Sequence, residues 1–135
     1  MNIRRITEED YKYIDNWWLD SNLLVPFRKN LPENGLGGLM IEKEKPIAAA
    51  YVYTTNSSMG YIDFLISDPH YKAKDRYDII LELFKACTKM SINLGSETVW
   101  AMTGDTGVTE RALEIGWEKW GKPQTIITHK NKLKA

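Results

Sequence analysis

The chain has 135 residues, 43% hydrophobic and 27% charged, with eighteen Lys plus Arg against eighteen Asp plus Glu. That length sets one domain spanning residues 1–135 as the expectation, and the apolar content excludes a disordered chain. A formal net charge of zero gives no global field to draw a polyanion, so no nucleic-acid partner is indicated.

No apolar run reaches the ~18 residues that span a bilayer, and the start Met1-Asn2-Ile3-Arg4-Arg5 has no apolar leader core, so no membrane partner and a cytoplasmic location are expected. The single cysteine, Cys87, lies in an apolar-periodic stretch, which predicts a core residue and a reducing compartment. The Lys130, Lys132 and Lys134 cluster reads as a solvated end.

Residues 3–6 predict a short strand. Thr7 with Asp10 three residues on predicts a capping box opening a helix to residue 20, whose apolar stripe is Tyr11, Ile14, Trp17 and Trp18. Neighbouring tryptophans 100° apart on a helix are expected not to enter the same core. Residues 21–38, with Pro26, Pro32 and three glycines, predict a long connection with one short helical turn, a length typical of functional loops.

Residues 39–42 and 47–54 predict an antiparallel hairpin around Lys43-Glu44-Lys45, with Pro46 at the second strand's start. The turn Asn56-Ser57-Ser58 leads to a strand at 61–67. Strict alternation there places Tyr61, Asp63 and Leu65 on one face and Ile62, Phe64 and Ile66 on the other.

Ile79, Ile80, Leu83, Phe84, Cys87, Met90 and Leu94 mark one face of a long helix ending at Gly95. A strand at 98–102 follows, and strand, helix, strand in succession favours a parallel crossover. Asp105 or Thr106 caps a short helix to Ile115, stopped by Gly116. Residues 117–120 and 125–129 predict a last hairpin. The expected class is α/β (α+β), in the order β-α-β-β-β-α-β-α-β-β.

That order is similar to the GNAT (GCN5-related N-acetyltransferase) fold, a mixed central sheet in three α/β/α layers. The segment Ser67-Asp68-Pro69-His70-Tyr71-Lys72-Ala73-Lys74-Asp75-Arg76-Tyr77-Asp78 resembles that family's Asn-Pro-x-Tyr-Arg-Gly-x-Gly-x-Gly loop. Ala112-Leu113-Glu114-Ile115-Gly116-Trp117 resembles its short helix ending in Gly-Phe. The stretch from Phe27 to Met40 resembles small phage-type members.

The resemblance implies an N-acetyltransferase that moves an acetyl group from acetyl-CoA, or another acyl-CoA, to a small-molecule or peptide amine. It implies cofactor contacts along Leu65, Ile66 and Ser67 and through Lys72, Ala73, Lys74, Asp75, Arg76 and Tyr77, where a helix start favours an anion. Ala73, Asp75 and Tyr77 stand where the family has glycines. Asp63 is then the candidate base with Tyr61 beside it, and the position of the family's tyrosine acid is Ala112.

Acceptor contacts are expected from Trp17, Trp18, Arg28, Asn34 and Asn56. For Asp63 a structural hydrogen bond remains the alternative, and for the tryptophans core packing or a homodimer contact. A non-catalytic binding module is the alternative function, with an exposed aromatic patch around Trp17 and Trp18. No metal site is indicated, since His70 and His129 stand far apart, and no Gly-x-Ser-x-Gly, Cys-x-x-Cys or phosphate-loop motif supports another chemistry.

Overall fold

The structure, a computed structural model, describes residues 1–103, 106–122 and 125–129. Its element order is β1 (Asn2–Arg5), α1 (Tyr11–Asp20), β2 (Gly38–Lys43), β3 (Lys45–Thr54), β4 (Met59–Ser67), α2 (Arg76–Asn93), β5 (Thr98–Ala101) and α3 (Thr106–Glu114). The strands form one five-stranded sheet in sequence order. All neighbours are antiparallel except β4 and β5, which run parallel with α2 as the connection, as the strand-helix-strand pattern predicts.

Period-two patterning along β3 divides the molecule into layers. Ala48, Ala50 and Val52 face a core shared with Ile79, Ile80, Leu83, Phe84 and Cys87 of α2 and Val108 of α3. Ala49 and Tyr51 face a second core with Tyr11, Ile14, Trp17 and Trp18 of α1. The alanines keep both helical layers close to the sheet. Burial pushes the Cys87 thiol up to about 12, as an inert core cysteine requires.

Local signals fix the element ends. The Asp10 carboxylate accepts the Thr7 N–H at 2.7 Å, so the expected capping box opens a 3-10 turn over Glu8–Asp10 that leads into α1. Gly95 and Gly116 take left-handed backbone at φ +108° and +101° just past α2 and α3, the geometry of a glycine helix stop. The loop 21–38 holds two 3-10 turns, Arg28–Asn30 and Pro32–Gly35, where one was expected.

Two expectations are corrected. Trp17 and Trp18 enter the same core, 4% and 8% exposed. Each ring has its own cover: Tyr13 lies 6.4 Å from Trp17, and Phe64 lies edge-on 6.4 Å from Trp18. The apolar arc of α1 is wide enough for both, so no exposed aromatic patch exists there. The last hairpin is not formed as strands at 117–120 or 125–129. Trp117 instead packs on Phe84, and Trp120 on Trp100, as side-chain contacts rather than ladder pairs. Asp105, weighed as the cap of α3, lies outside the described residues.

Candidate active site between the parallel strands

The β4–β5 ladder pairs Met59 with Thr98, Gly60 with Val99, Tyr61 with Trp100 and Ile62 with Ala101. Strand β4 continues to Ser67 while β5 ends at Ala101. Among the described residues, no strand therefore lies beside Asp63 to Ser67 on that edge.

A bulge shapes this half of β4. On β3, Tyr51 pairs with Asp63 and Ala49 with Ile66, so Ala50 alone opposes both Phe64 and Leu65. Phe64 sits at φ +53°, a left-handed conformation that costs a bulky residue about 1–3 kcal/mol. The extra residue resets the alternation. Leu65, expected on the face of Tyr61 and Asp63, packs instead against the α2 core with Ile62, while Phe64 and Ile66 join the α1 core.

Just before the bulge, the Tyr61 hydroxyl donates to Asp63 Oδ2 at 2.8 Å. The Tyr53 ring lies 5.0 Å from the Tyr61 ring, and the Tyr53 hydroxyl donates to the Asn30 carbonyl at 2.8 Å. Burial, and then the Asp63 carboxylate, hold Tyr61 above its ordinary range, and the same causes push Tyr53 up to about 12. Both phenols keep their protons at neutral pH.

The loop after β4 is held by its own side chains. One Arg76 nitrogen donates to the carbonyls of Asp68 at 2.8 Å and Tyr71 at 2.9 Å, and the other to the Ser67 hydroxyl. Arg76, expected to face the cofactor, is thus turned into the loop. Asp75, the residue just before α2, accepts from the Tyr71 hydroxyl at 2.9 Å and from Lys43 Nζ at 3.5 Å. The Tyr71 bond and then Lys43 hold its carboxyl below the usual carboxylate range.

Lys72, Ala73 and Lys74 are exposed, and Tyr77 is half-buried against the α2 core. His70 is exposed beside Asp20, Nε2 to Oδ2 3.4 Å. Lys43 and Tyr71 were missed as site residues. Tyr71 stands four residues before Asp75 in the same loop, but only the fold brings Lys43 there.

The residues expected at the acceptor do not converge. Trp17 and Trp18 are buried. The Arg28 guanidinium stacks 3.6 Å over the Tyr11 ring, and its Nε donates to the Asn34 carbonyl at 2.9 Å. Both Arg28 and Asn34 thereby pin the loop onto α1. Asn56 is exposed in the β3–β4 turn. Two surface hollows, of about 410 and 370 Å³, share Arg5, Met90 and Leu94 at the C-terminal end of α2 and lie outside the β4–β5 opening.

No family model and no curated protein matches the sequence. Solved structures do. N-acetylglutamate synthase from Neisseria gonorrhoeae, complexed with coenzyme A and L-arginine, is 19% identical with a TM-score of 0.70, over 91% of this chain and 29% of that one. Rv2747 from Mycobacterium tuberculosis, in complex with CoA, is 20% identical at 0.69, over 93% and 76%. A GCN5-related N-acetyltransferase from Ralstonia eutropha JMP134 is 18% identical at 0.63, over 93% and 97%. The fold is that of the GCN5-related N-acetyltransferases.

Within the GNAT fold, the chain's own features are the bulge at Phe64, the Tyr61–Asp63 pair and the self-bonded loop after β4. Ala112, a half-buried residue of α3, offers no acidic side chain. Among the described residues no cluster of metal-binding side chains occurs, and no helix is long and apolar enough to cross a membrane.

Proposed function

We propose that this chain transfers an acyl group, acetyl in the simplest case, from the thioester of an acyl-CoA to an amine. The observation that carries the reading is the parting of β4 from β5 after Ile62 and Ala101, with the Tyr61–Asp63 pair at the point of separation. The GNAT fold supports it.

A thioester supplies an electrophilic carbonyl and a thiolate leaving group. The open edge from Asp63 to Ser67 fits an extended arm, which its backbone groups bind as they would an added strand. Holding acceptor and donor together there supplies up to about 7–11 kcal/mol of the barrier. Asp63 takes the proton released as the amine nitrogen bonds to the carbonyl carbon. Tyr61, its own proton retained, fixes the carboxylate by donating to Oδ2 and leaves Oδ1 to act as base. As the carbon–sulfur bond breaks, the thiolate takes its proton from solvent, since Ala112 supplies none.

Thiol release from acetyl-CoA across a panel of primary amines tests this. Asp63→Asn is expected to lower kcat/KM by about 10²- to 10⁴-fold with donor affinity unchanged. The lack of an acid at Ala112 favours one second reading, a thioester-binding module without turnover. Donor binding with no thiol release from any amine would establish that reading instead.

A further inference from the structure

We infer that this site, taken as the thioester site proposed above, recognises the acylated pantetheine arm of its donor and not the diphosphate, so that thioesters of CoA and of bare, phosphate-free pantetheine bind alike. The two ends of the site differ in what they offer. The β4 edge presents backbone groups along Asp63 to Ser67, matched to the amides of an extended arm. The loop at the start of α2 has its Asp75 carboxylate and Arg76 guanidinium bonded to groups of the chain itself.

Three observations carry this. The start of a helix favours an anion, but here the residue just before α2 is itself an anion, Asp75, whose carboxylate is held beside the helix start by Tyr71 and Lys43 at 2.9 and 3.5 Å. A diphosphate would be placed against that carboxylate. Arg76, the one guanidinium of the segment, donates from both Nη atoms to Ser67, Asp68 and Tyr71, so an end-on fork to a phosphate would have to break bonds that hold the loop.

Tyr77 closes the first turn of α2 against α3. A Cβ on Gly107 would meet the Tyr77 ring at 2.6 Å, so the ring lies flush on the α3 backbone and fills the space between the two helices. Lys72 and Lys74 remain exposed. Cations in open solvent attract any polyanion, and salt screens that attraction.

Calorimetry on the full chain at about 0.15 M salt decides the matter, with acetyl-CoA, the phosphate-free S-acetyl-pantetheine and ADP as titrants. The expected result is Kd values for the two thioesters within about threefold and no saturable binding of ADP. Asp75→Asn, which keeps the side chain's size and removes its charge, is expected to tighten acetyl-CoA by about tenfold and leave S-acetyl-pantetheine unchanged. Acetyl-CoA binding more than about tenfold tighter than S-acetyl-pantetheine, or indifference of acetyl-CoA to Asp75→Asn, would overturn the inference while leaving the thioester site standing. Failure of both thioesters to bind would overturn the site as well.

Discussion

Replacing Trp17 or Trp18 by alanine separates a core role from a surface one. Each ring is nearly enclosed, at 4% and 8% exposure. A buried tryptophan removes about 150–250 Å² from water, which at about 25 cal/mol per Å² amounts to ~4–6 kcal/mol as an upper bound. Core Trp→Ala changes cost about 3–5 kcal/mol, a large share of the ~5–15 kcal/mol that holds a domain together.

At about 3–5 °C per kcal/mol for a chain of this size, each variant should melt roughly 10–20 °C below the parent. Urea unfolding followed by far-UV circular dichroism measures the loss. Trp120→Ala, at 72% exposure, serves as the surface control and should change stability by less than about 1 kcal/mol. Trp18→Ala has a functional reading too, because Trp18 lies against Phe64 and its loss should weaken donor binding at the bulge. A cost below about 1 kcal/mol for both variants would refute the placement of this helix face in the core.

Gly60→Ala should destabilise by about 1–3 kcal/mol, because the new methyl would overlap the hydroxyls of Ser91 and Ser96; Ser91→Ala in the same chain should recover part of that loss in urea titrations. Burial pushes the Asp10 carboxyl up, but the Arg4 guanidinium and the Thr7 N–H outweigh it and hold the carboxyl below its usual range. Its contribution is therefore present above pH ~4 and lost as the pH falls further, so Asp10→Asn should be less stable than the parent at pH 7, with the gap closing in acid. Arg28→Lys should loosen the 28–35 loop despite the retained charge, since a lysine cannot both stack on Tyr11 and donate from a planar fork to Asn34 and Glu8; faster proteolytic cleavage within that loop is the readout.

Most of the fold was legible in the sequence because its signals are local. The stripe from Ile79 to Cys87, the capping pair Thr7 and Asp10, and the glycine stops at 95 and 116 each act within a few residues. The bulge was not legible. Nothing in Phe64-Leu65-Ile66 announces a left-handed phenylalanine, which follows from how β3 and β4 pair, and one inserted residue moved Leu65 to the opposite face. The same holds for Trp17 and Trp18, whose covers Tyr13 and Phe64 combine a helix neighbour with a residue of β4, distant in sequence.

The candidate site divides along the same line. The pairing of Tyr61 with Asp63 follows from two-residue spacing on a strand. Arg28 and Asn34, read as acceptor contacts, turned out to bind each other, an outcome set by the path of the loop. The expected cofactor contacts after β4 included Arg76, but composition carries no information on where a guanidinium points.

The proposal rests on the open edge of β4 being the donor site. Backbone amide shifts of the labelled chain, recorded as S-acetyl-pantetheine is added, test this directly. The account predicts saturable shifts concentrated at Asp63 to Ser67. Shifts concentrated instead around Arg5, Met90 and Leu94, or none at millimolar ligand, would contradict it.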